Sequence, residues 1–417
     1  MSFKMLLTDF SILKTNRHFR NVFVARTLSL LTIGMLIVAI PQQVYQMTHD
    51  VFHVAIATAI EGIAMFIGLL LGGVLSDRYD RKKLILFARS FCGIGFIGLA
   101  LNAMSNQPSL SLIYVFSAWD GFFGALGVTA MMAVMPMIVG RENIVQARAV
   151  SMLSVRLATV IAPALGGIII AASNVAAAYW IAAIGTLLTV ILLLNLPSLK
   201  PSQHGAVMES PLQQLLQGFK FVFQNKIVGT TILIGTLLSF SSAIRIVFPQ
   251  MVEQQFAGSA FELGLMYSAV PLGGIIAAFL SGWTNQLIRP GNIMLYFCLA
   301  VFACMIAIGL SSWFSLTLFI LTVFGYCSAV ANLLQYSIVQ GHTPDDYLGR
   351  INAIWLAQDA SADSIATTGM GLLTRLLPIT SSIFYFGLIS LLLGLLCLIG
   401  FTGIRKAGLQ DPNLQES

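Results

Sequence analysis

Six ionisable residues lie deep inside long apolar stretches of this chain: the acids Glu61, Asp120, Asp359 and Asp363, and the bases Arg156 and Arg245. Arg26 and Arg89 lie nearer the ends of such stretches. A charge held in hydrocarbon costs at least about 2.5–3.5 kcal/mol on insertion scales, so each of these side chains must face protein or water and is a candidate for function. Four acids against two deep arginines leave an acidic surplus. A carboxyl group that burial helps to keep protonated is a ready proton carrier. Asp359 and Asp363 are one helical turn apart, share a face, and cannot both ionise readily at close range. Asp363 is the first choice for a proton site and Glu61 the second. Asp120 and Arg156 fall within about 10 Å of each other in depth, from the 1.5 Å helical rise per residue. They are expected either to form a pair that a proton or substrate breaks, or to form a permanent ion pair. For Arg245 two partners are open, an anionic group of a substrate or an acid from the stretch that holds Asp359 and Asp363.

Such side chains need elements that hold them in oil. The chain of 417 residues is 57% hydrophobic and 9% charged, with a mean hydropathy of +0.88, whereas a soluble surface calls for roughly a quarter charged residues. Unbroken apolar runs of about 20 residues, long enough to cross a ~30 Å hydrocarbon core as helix, follow one another along its length. Twelve spans are predicted, at 21–46, 53–76, 84–104, 110–135, 148–172, 177–196, 227–252, 262–287, 292–311, 313–338, 350–374 and 380–401. Lys and Arg are retained on the cytoplasmic side of short loops. With both termini inside, Lys14, Arg17, Arg20, Arg78, Arg81, Lys82, Lys83, Arg148, Lys200, Lys226, Arg289, Arg350 and Arg405 are all cytoplasmic, and the opposite loops carry Arg375. The net charge of +6 therefore reads as topology, not as nucleic-acid binding.

A polar connection at 197–226 divides the spans six and six, giving a cytoplasmic segment 1–20, a first bundle 21–196, the linker, a second bundle 227–403 and a tail 404–417. Internal echoes support that division. VAIPQQV around Pro41 recurs as IVFPQMV around Pro249, 208 positions later; Gly73 aligns with Gly282, and Arg148 with Arg350. Near-constant offsets in this order indicate duplicated halves, the pattern of transporters that rock around a site at the membrane midplane.

The stretch GGVLSDRYDRKKL resembles the loop signature of the major facilitator superfamily, with Gly73, Leu75, Asp77, Arg78, Arg81 and Lys82 matching. Asp80 stands where the signature has its second glycine, so the tight turn must be made otherwise. Asp77 beside Arg81 is suited to a charge-paired latch on the cytoplasmic face. RLATVIAPALGGIII resembles the superfamily's antiporter motif through Pro163, Gly166 and Gly167, with Ala162 replacing a glycine. The resemblance implies export. In WDGFFGALG, Gly124 and Gly127 match the superfamily but Asp120 reverses the charge of its usual arginine, so that arginine's role does not carry over. Phrases along nearly the whole chain, among them LKTNRHFRNVF, CGIGFIGLALNA, GRENIVQARAVSMLSVRL and LGRINAIW, resemble the enterobactin exporter family of enteric bacteria.

This resemblance implies an all-α membrane protein of the major facilitator fold in a bacterial inner membrane. It further implies proton-driven export of a catecholate siderophore from cytoplasm to periplasm, where a periplasmic or outer-membrane efflux partner can receive it. Trp119, Phe123, Tyr267, Tyr336 and Trp355 are then candidates to stack on catechol rings in an apolar cavity, or are plain helix packing. A multidrug or macrolide exporter of the same superfamily is the near alternative, and a membrane sensor or scaffold the distant one. Enzyme, cofactor and metal chemistry find no support. Gly93, Gly95 and Gly98 spell a dinucleotide-type motif with no strand before it, and read as helix packing. The five cysteines, at 92, 298, 304, 327 and 397, fall inside spans without metal or disulfide spacing and read as core residues.

Overall fold

A computed structural model describes residues 11–140, 142–200, 211–344, 347–406, 408 and 409. The long helices among them are α1 Arg17–Thr48, α2 Val51–Arg78, α3 Arg81–Met104, α4 Leu110–Val139, α5 Ile144–Ala172 and α6 Val175–Leu194. They continue as α7 Lys226–Gln255, α8 Ala260–Leu280, α9 Pro290–Leu310, α10 Phe314–Gly341, α11 Leu348–Leu376 and α12 Ile379–Gly400. All but one lie within four residues of a predicted span at both ends; α8 stops at Leu280, seven residues short of the predicted 287, where a 3₁₀ stretch Ser281–Gln286 takes over. Eleven are long and apolar enough to cross a membrane. The other, α11, is 29 residues long but carries Arg350, Asp359, Asp363 and Arg375, and those charges lower its hydropathy. A shorter amphipathic helix, Pro211–Gln224, precedes α7.

The chain divides into two compact units. In the first, α3 packs against α4 and α6, and α1 against α5 and α6; in the second, α9 packs against α10 and α12, and α7 against α11. The repeated pairing is what duplicated halves require. The units differ from the bundles read from sequence by two short segments. Asp50–Ala55, the start of α2, belongs to the second unit, and Gly258–Ser268, the start of α8, belongs to the first. These segments begin 208 positions apart, the offset of the Pro41 and Pro249 echo. Just before each lies a non-glycine residue in left-handed backbone geometry, His49 with φ 49° and Ala257 with φ 46°. Both halves thus make the same turn.

Small residues set the close helix contacts. A side chain at Gly95 would strike the ring of Trp119, and one at Gly98 the ring of Phe116. These glycines of α3 make room for α4, as the helix-packing reading requires. At the antiporter motif, Pro163 lies inside α5, Gly166 lies against the backbone of Met35, and Gly167 against Ala260 and Gly264. The five cysteines are free thiols.

Candidate functional site

The densest polar arrangement in the second unit joins α7 to α11. After Lys226–Ser239, α7 leaves α-helical winding for a 3₁₀ stretch, Phe240–Val247, and it ends in a π turn, Met251–Gln255. Residues three apart stack on one side of a 3₁₀-helix, which puts Ser239, Ser242 and Arg245 in a row at this stretch. On α11, Trp355, Asp359 and Asp363 recur every four residues and share a face. The two rows meet rung by rung. Ser239 Oγ donates to Asp359 Oδ1 at 2.6 Å. Ser242 Oγ donates to Asp363 Oδ1, and Arg245 Nη2 donates to Asp363 Oδ2 at 2.6 Å. The ion pair is half-buried, with side-chain exposures of 38% for Arg245 and 19% for Asp363.

Of the two partners open to Arg245, the acid is the one it engages here. Asp359 is exposed. A turn below it, Trp355 packs on Tyr336 of α10 with ring centroids 5.2 Å apart. Gln335, 1% exposed, sets its amide nitrogen beside Gly235, one turn before Ser239, where a Cβ at that glycine would collide with it. An aromatic pair, two carboxylates, two hydroxyls and a guanidinium thus follow one another along the α7 and α11 faces. Chemically, the two carboxylates of this set can accept hydrogen bonds from hydroxyl groups, and the guanidinium can hold an anionic one.

In the first unit the expected partner of Asp120 is replaced. Asp120 is buried, with the Arg89 guanidinium and the Cys92 thiol as its electrostatic neighbours, and Arg89 is also influenced by Arg26. Arg156 is exposed and has no ion-pair partner among the described residues. Depth along the membrane normal fixed only one coordinate of the expected Asp120–Arg156 pair, and the direction each side chain faces overrules it. Among the described residues, Arg89 Nη1 and Asp120 Oδ1 find no hydrogen-bond partner, an arrangement that is costly at such burial. One signal in the sequence points to Arg89: α3 and α4 are consecutive helices, and Arg89 is the basic residue that lies deepest in α3.

Four of the five aromatic candidates pack on other rings: Tyr336 and Trp355 on one another, and Trp119 and Phe123 in a group with Phe91. Trp119 donates its ring N–H to the Phe91 carbonyl at 2.7 Å, and Phe91 stacks on it at 5.7 Å. Phe123 joins this group, 4.8 Å from Trp119 and 4.9 Å from Phe91. The group joins α3 to α4, with Trp119 and Phe123 each half-buried in it. Tyr267 is buried, in a segment of α8 that clusters with the first unit. Glu61 is half-buried in α2, where Gly121 of α4 lies against its backbone carbonyl.

At the loop signature, Asp80 does the work of the missing glycine. It caps α3 by accepting from the Lys82 amide at 3.0 Å, and it accepts from the Leu199 amide at 3.1 Å and Ser198 Oγ at 2.6 Å. Burial pushes the Asp80 carboxyl upward, but these hydrogen bonds, Ser198 first, outweigh it and hold the group below the usual carboxylate range. Arg81 Nε donates to the Ser76 carbonyl at 3.1 Å. Arg78 is exposed, and Gly73 has open space around its Cα. The side chain of Asp77, and with it the proposed latch to Arg81, lies outside the described residues.

Outside the spans, the turn after α1 carries a second ion pair. Asp50 Oδ2 accepts from Nε and Nη2 of Arg375 at 2.9 and 2.6 Å, and that guanidinium lies 4.1 Å from the Phe52 ring centroid. Burial raises the Asp50 carboxyl, but the Arg375 and Phe52 hydrogen bonds together with the nearby positive charges bring it below its ordinary value.

Known proteins place this geometry. The chain is 43% identical over 411 residues to the enterobactin exporter EntS of Escherichia coli O1:K1, covering 99% of this chain and 98% of that protein. The same identity and coverage hold for the enterobactin exporter EntS of Shigella boydii serotype 18. In fold it is similar to a mutant of the nucleoside transporter NupG, with a TM-score of 0.76, 12% identity and coverage of 93% of this chain and 99% of that one. A peptide transporter, POT, matches with a TM-score of 0.72 at 15% identity, over 95% of this chain and 96% of that one. The family model described as Major Facilitator Superfamily matches residues 22–357, and the chain belongs to that superfamily as a twelve-helix, multi-pass membrane transporter.

Proposed function

We propose that this protein exports a catecholate siderophore of the enterobactin class from the cytoplasm across the inner membrane, driven by inward proton flow, with both its termini in the cytoplasm. Identity of 43% to enterobactin exporters along 99% of the chain carries the choice of cargo. Proton coupling rests on the Asp363–Arg245 pair. With Asp363 ionised, the pair is charge-balanced. Protonation removes the attraction and frees the guanidinium, while release of the proton restores it. A site that alternates in this way can exchange a proton for a cargo, because only the ionised carboxylate is a strong acceptor for phenolic hydroxyls. Tyr336 and Trp355 lie a turn or two away and suit the cargo's aromatic rings. Asp359, Glu61 and Asp120 are the further carboxyl candidates, and a periplasmic or outer-membrane partner would take the released cargo onward.

Proteoliposomes loaded with iron-free enterobactin test this reading. An imposed pH gradient accelerates flux through the parent protein by at least about tenfold, on the scale of one lost charge-assisted interaction, and Asp363→Asn abolishes the acceleration. Full gradient-driven flux in Asp363→Asn removes that residue from the mechanism. Flux of hydrophobic drugs without flux of enterobactin would assign the chain to multidrug export instead, and no flux of either would favour a non-transporting role.

A further inference from the structure

The 3₁₀ stretch of α7 runs for eight residues, although runs beyond three or four are uncommon because the hydrogen-bond geometry is poorer. In the first half the stretch 208 positions earlier is residues 32–39, and there α1 is α-helical throughout. The side chains differ in parallel. Ser239, Ser242 and Arg245 correspond to Leu31, Gly34 and Ile37. At the offset that aligns Arg148 with Arg350, Asp359 and Asp363 correspond to Leu157 and Ile161. Unusual winding and polar ladder are present together in one repeat and absent together from the other.

Helix geometry supplies the link between them. In a 3₁₀-helix, residues three apart stand in line and step about 6 Å along the axis. On α11, acids four apart also step about 6 Å. Were α7 wound as an α-helix here, each three-residue step would rise only about 4.5 Å and swing about 60° around the axis, so successive rungs would drift away from the acids. The winding matches the spacing of one helix to that of the other.

We propose that Ser239 and Ser242 are positioning residues for proton-coupled transport, held in register with Asp359 and Asp363 by the 3₁₀ winding of α7, and that their hydroxyls orient the carboxyl groups which exchange the proton. The inference rests on the reading of Asp363 as the coupling acid. The charged groups facing Asp363 are Arg245 from α7 and Asp359 from its own helix. Of the other elements packed on α11, the helix Pro211–Gln224 offers Lys220 and α12 offers Tyr385, neither of which bonds it.

The experiment compares two fluxes of iron-free enterobactin in proteoliposomes, one driven by a pH gradient and one a cargo-for-cargo exchange without a gradient. Ser242→Ala is expected to lose about tenfold of the gradient-driven flux, the scale of one hydrogen bond to a charged group, while exchange stays within about twofold. Ser242→Thr, which keeps the hydroxyl, restores both. Ser239→Ala shows the same split to a smaller degree, since Asp359 is exposed to water. Equal loss of both fluxes in Ser242→Ala would reduce the serine to a structural role, and an unchanged gradient-driven flux would also overturn the inference. If Asp363→Asn loses coupling while Ser242→Ala keeps it, only the positioning inference falls; if Asp363→Asn keeps coupling, the reading beneath it falls.

Discussion

A carboxylate and a guanidinium in a low-dielectric setting stabilise one another only as a pair, so removing one costs more than removing both. Arg245→Gln is expected to lower stability by about 2 kcal/mol, at the lower end for a charge pair because this one is part-exposed. Arg245→Gln combined with Asp363→Asn should recover most of that loss in detergent melting while remaining uncoupled. If the double variant is as unstable as the single one, the pair is not the source of the cost. Arg89 and Asp120 form the more deeply buried case, and Arg89→Ala should be worse tolerated than Arg156→Ala. The residue types at these sites were legible from charge inside apolar sequence. For Arg245 the sequence narrowed the partner to an anionic group of a substrate or an acid of the Asp359–Asp363 stretch, and the latter is the one engaged. The partner was not legible for Asp120, because the direction a side chain faces around its helix depends on packing. For Trp119 and Phe123 cavity and packing both stayed open for the same reason: a hydropathy pattern gives the depth of an aromatic ring and not its neighbour.

At the scale of elements, the span limits came through to within four residues except at the end of α8, because length and apolarity are the requirements for crossing a bilayer. The 3₁₀ stretch of α7 did not: Pro249 lies just beyond it, but its counterpart Pro41 sits in a helix that stays α-helical, so a nearby proline does not by itself announce the winding. The loop after α2 lay between these cases. Its departure from the family signature at Asp80 was visible, and the cap and the ties to Ser198 and Leu199 were not. Because the folded-state pKa of Asp80 lies below that of the unfolded chain, its contribution is present above the unfolded value and fades as pH falls through the folded one, in the acid range below about pH 4. Asp80→Ala should therefore cost about 1 kcal/mol at neutral pH, the usual loss for a helix N-cap, and progressively less as the medium is acidified below about pH 4. A penalty that does not shrink on acidification in melting experiments would mean the carboxylate charge is not what holds the turn.

For the molecule as a whole, duplication was readable from three ordered echoes, and the repeated helix pairings carry it into three dimensions. The exchange of Asp50–Ala55 and Gly258–Ser268 between units was not readable, as nothing in the composition of either segment differs from its own half. Asp50 belongs to this exchanged material and pairs with Arg375 of α11. Their pair is exposed, worth about 0.5 kcal/mol and weakened by salt, so Asp50→Asn should be mild and the reversal Asp50→Arg with Arg375→Asp should regain the loss at low salt. Orientation has a direct check. A cysteine at Gln107 should react with an impermeant thiol reagent from outside intact cells, and one at Lys83 should react only after the membrane is opened. Labelling in the reverse pattern would invert the topology.

Left-handed backbone at His49 and Ala257 turns the usual rule about glycine around. Elsewhere in α1 or α7 a glycine would loosen the fold, costing about 0.5–1 kcal/mol in chain freedom. At these two corners the resident side chain already bears a steric cost of about 1–2 kcal/mol, so His49→Gly and Ala257→Gly should each raise the melting temperature, and a β-branched residue at either place should lower it. Both corners keep this backbone with a side chain in place, so the packing around each must enforce its shape.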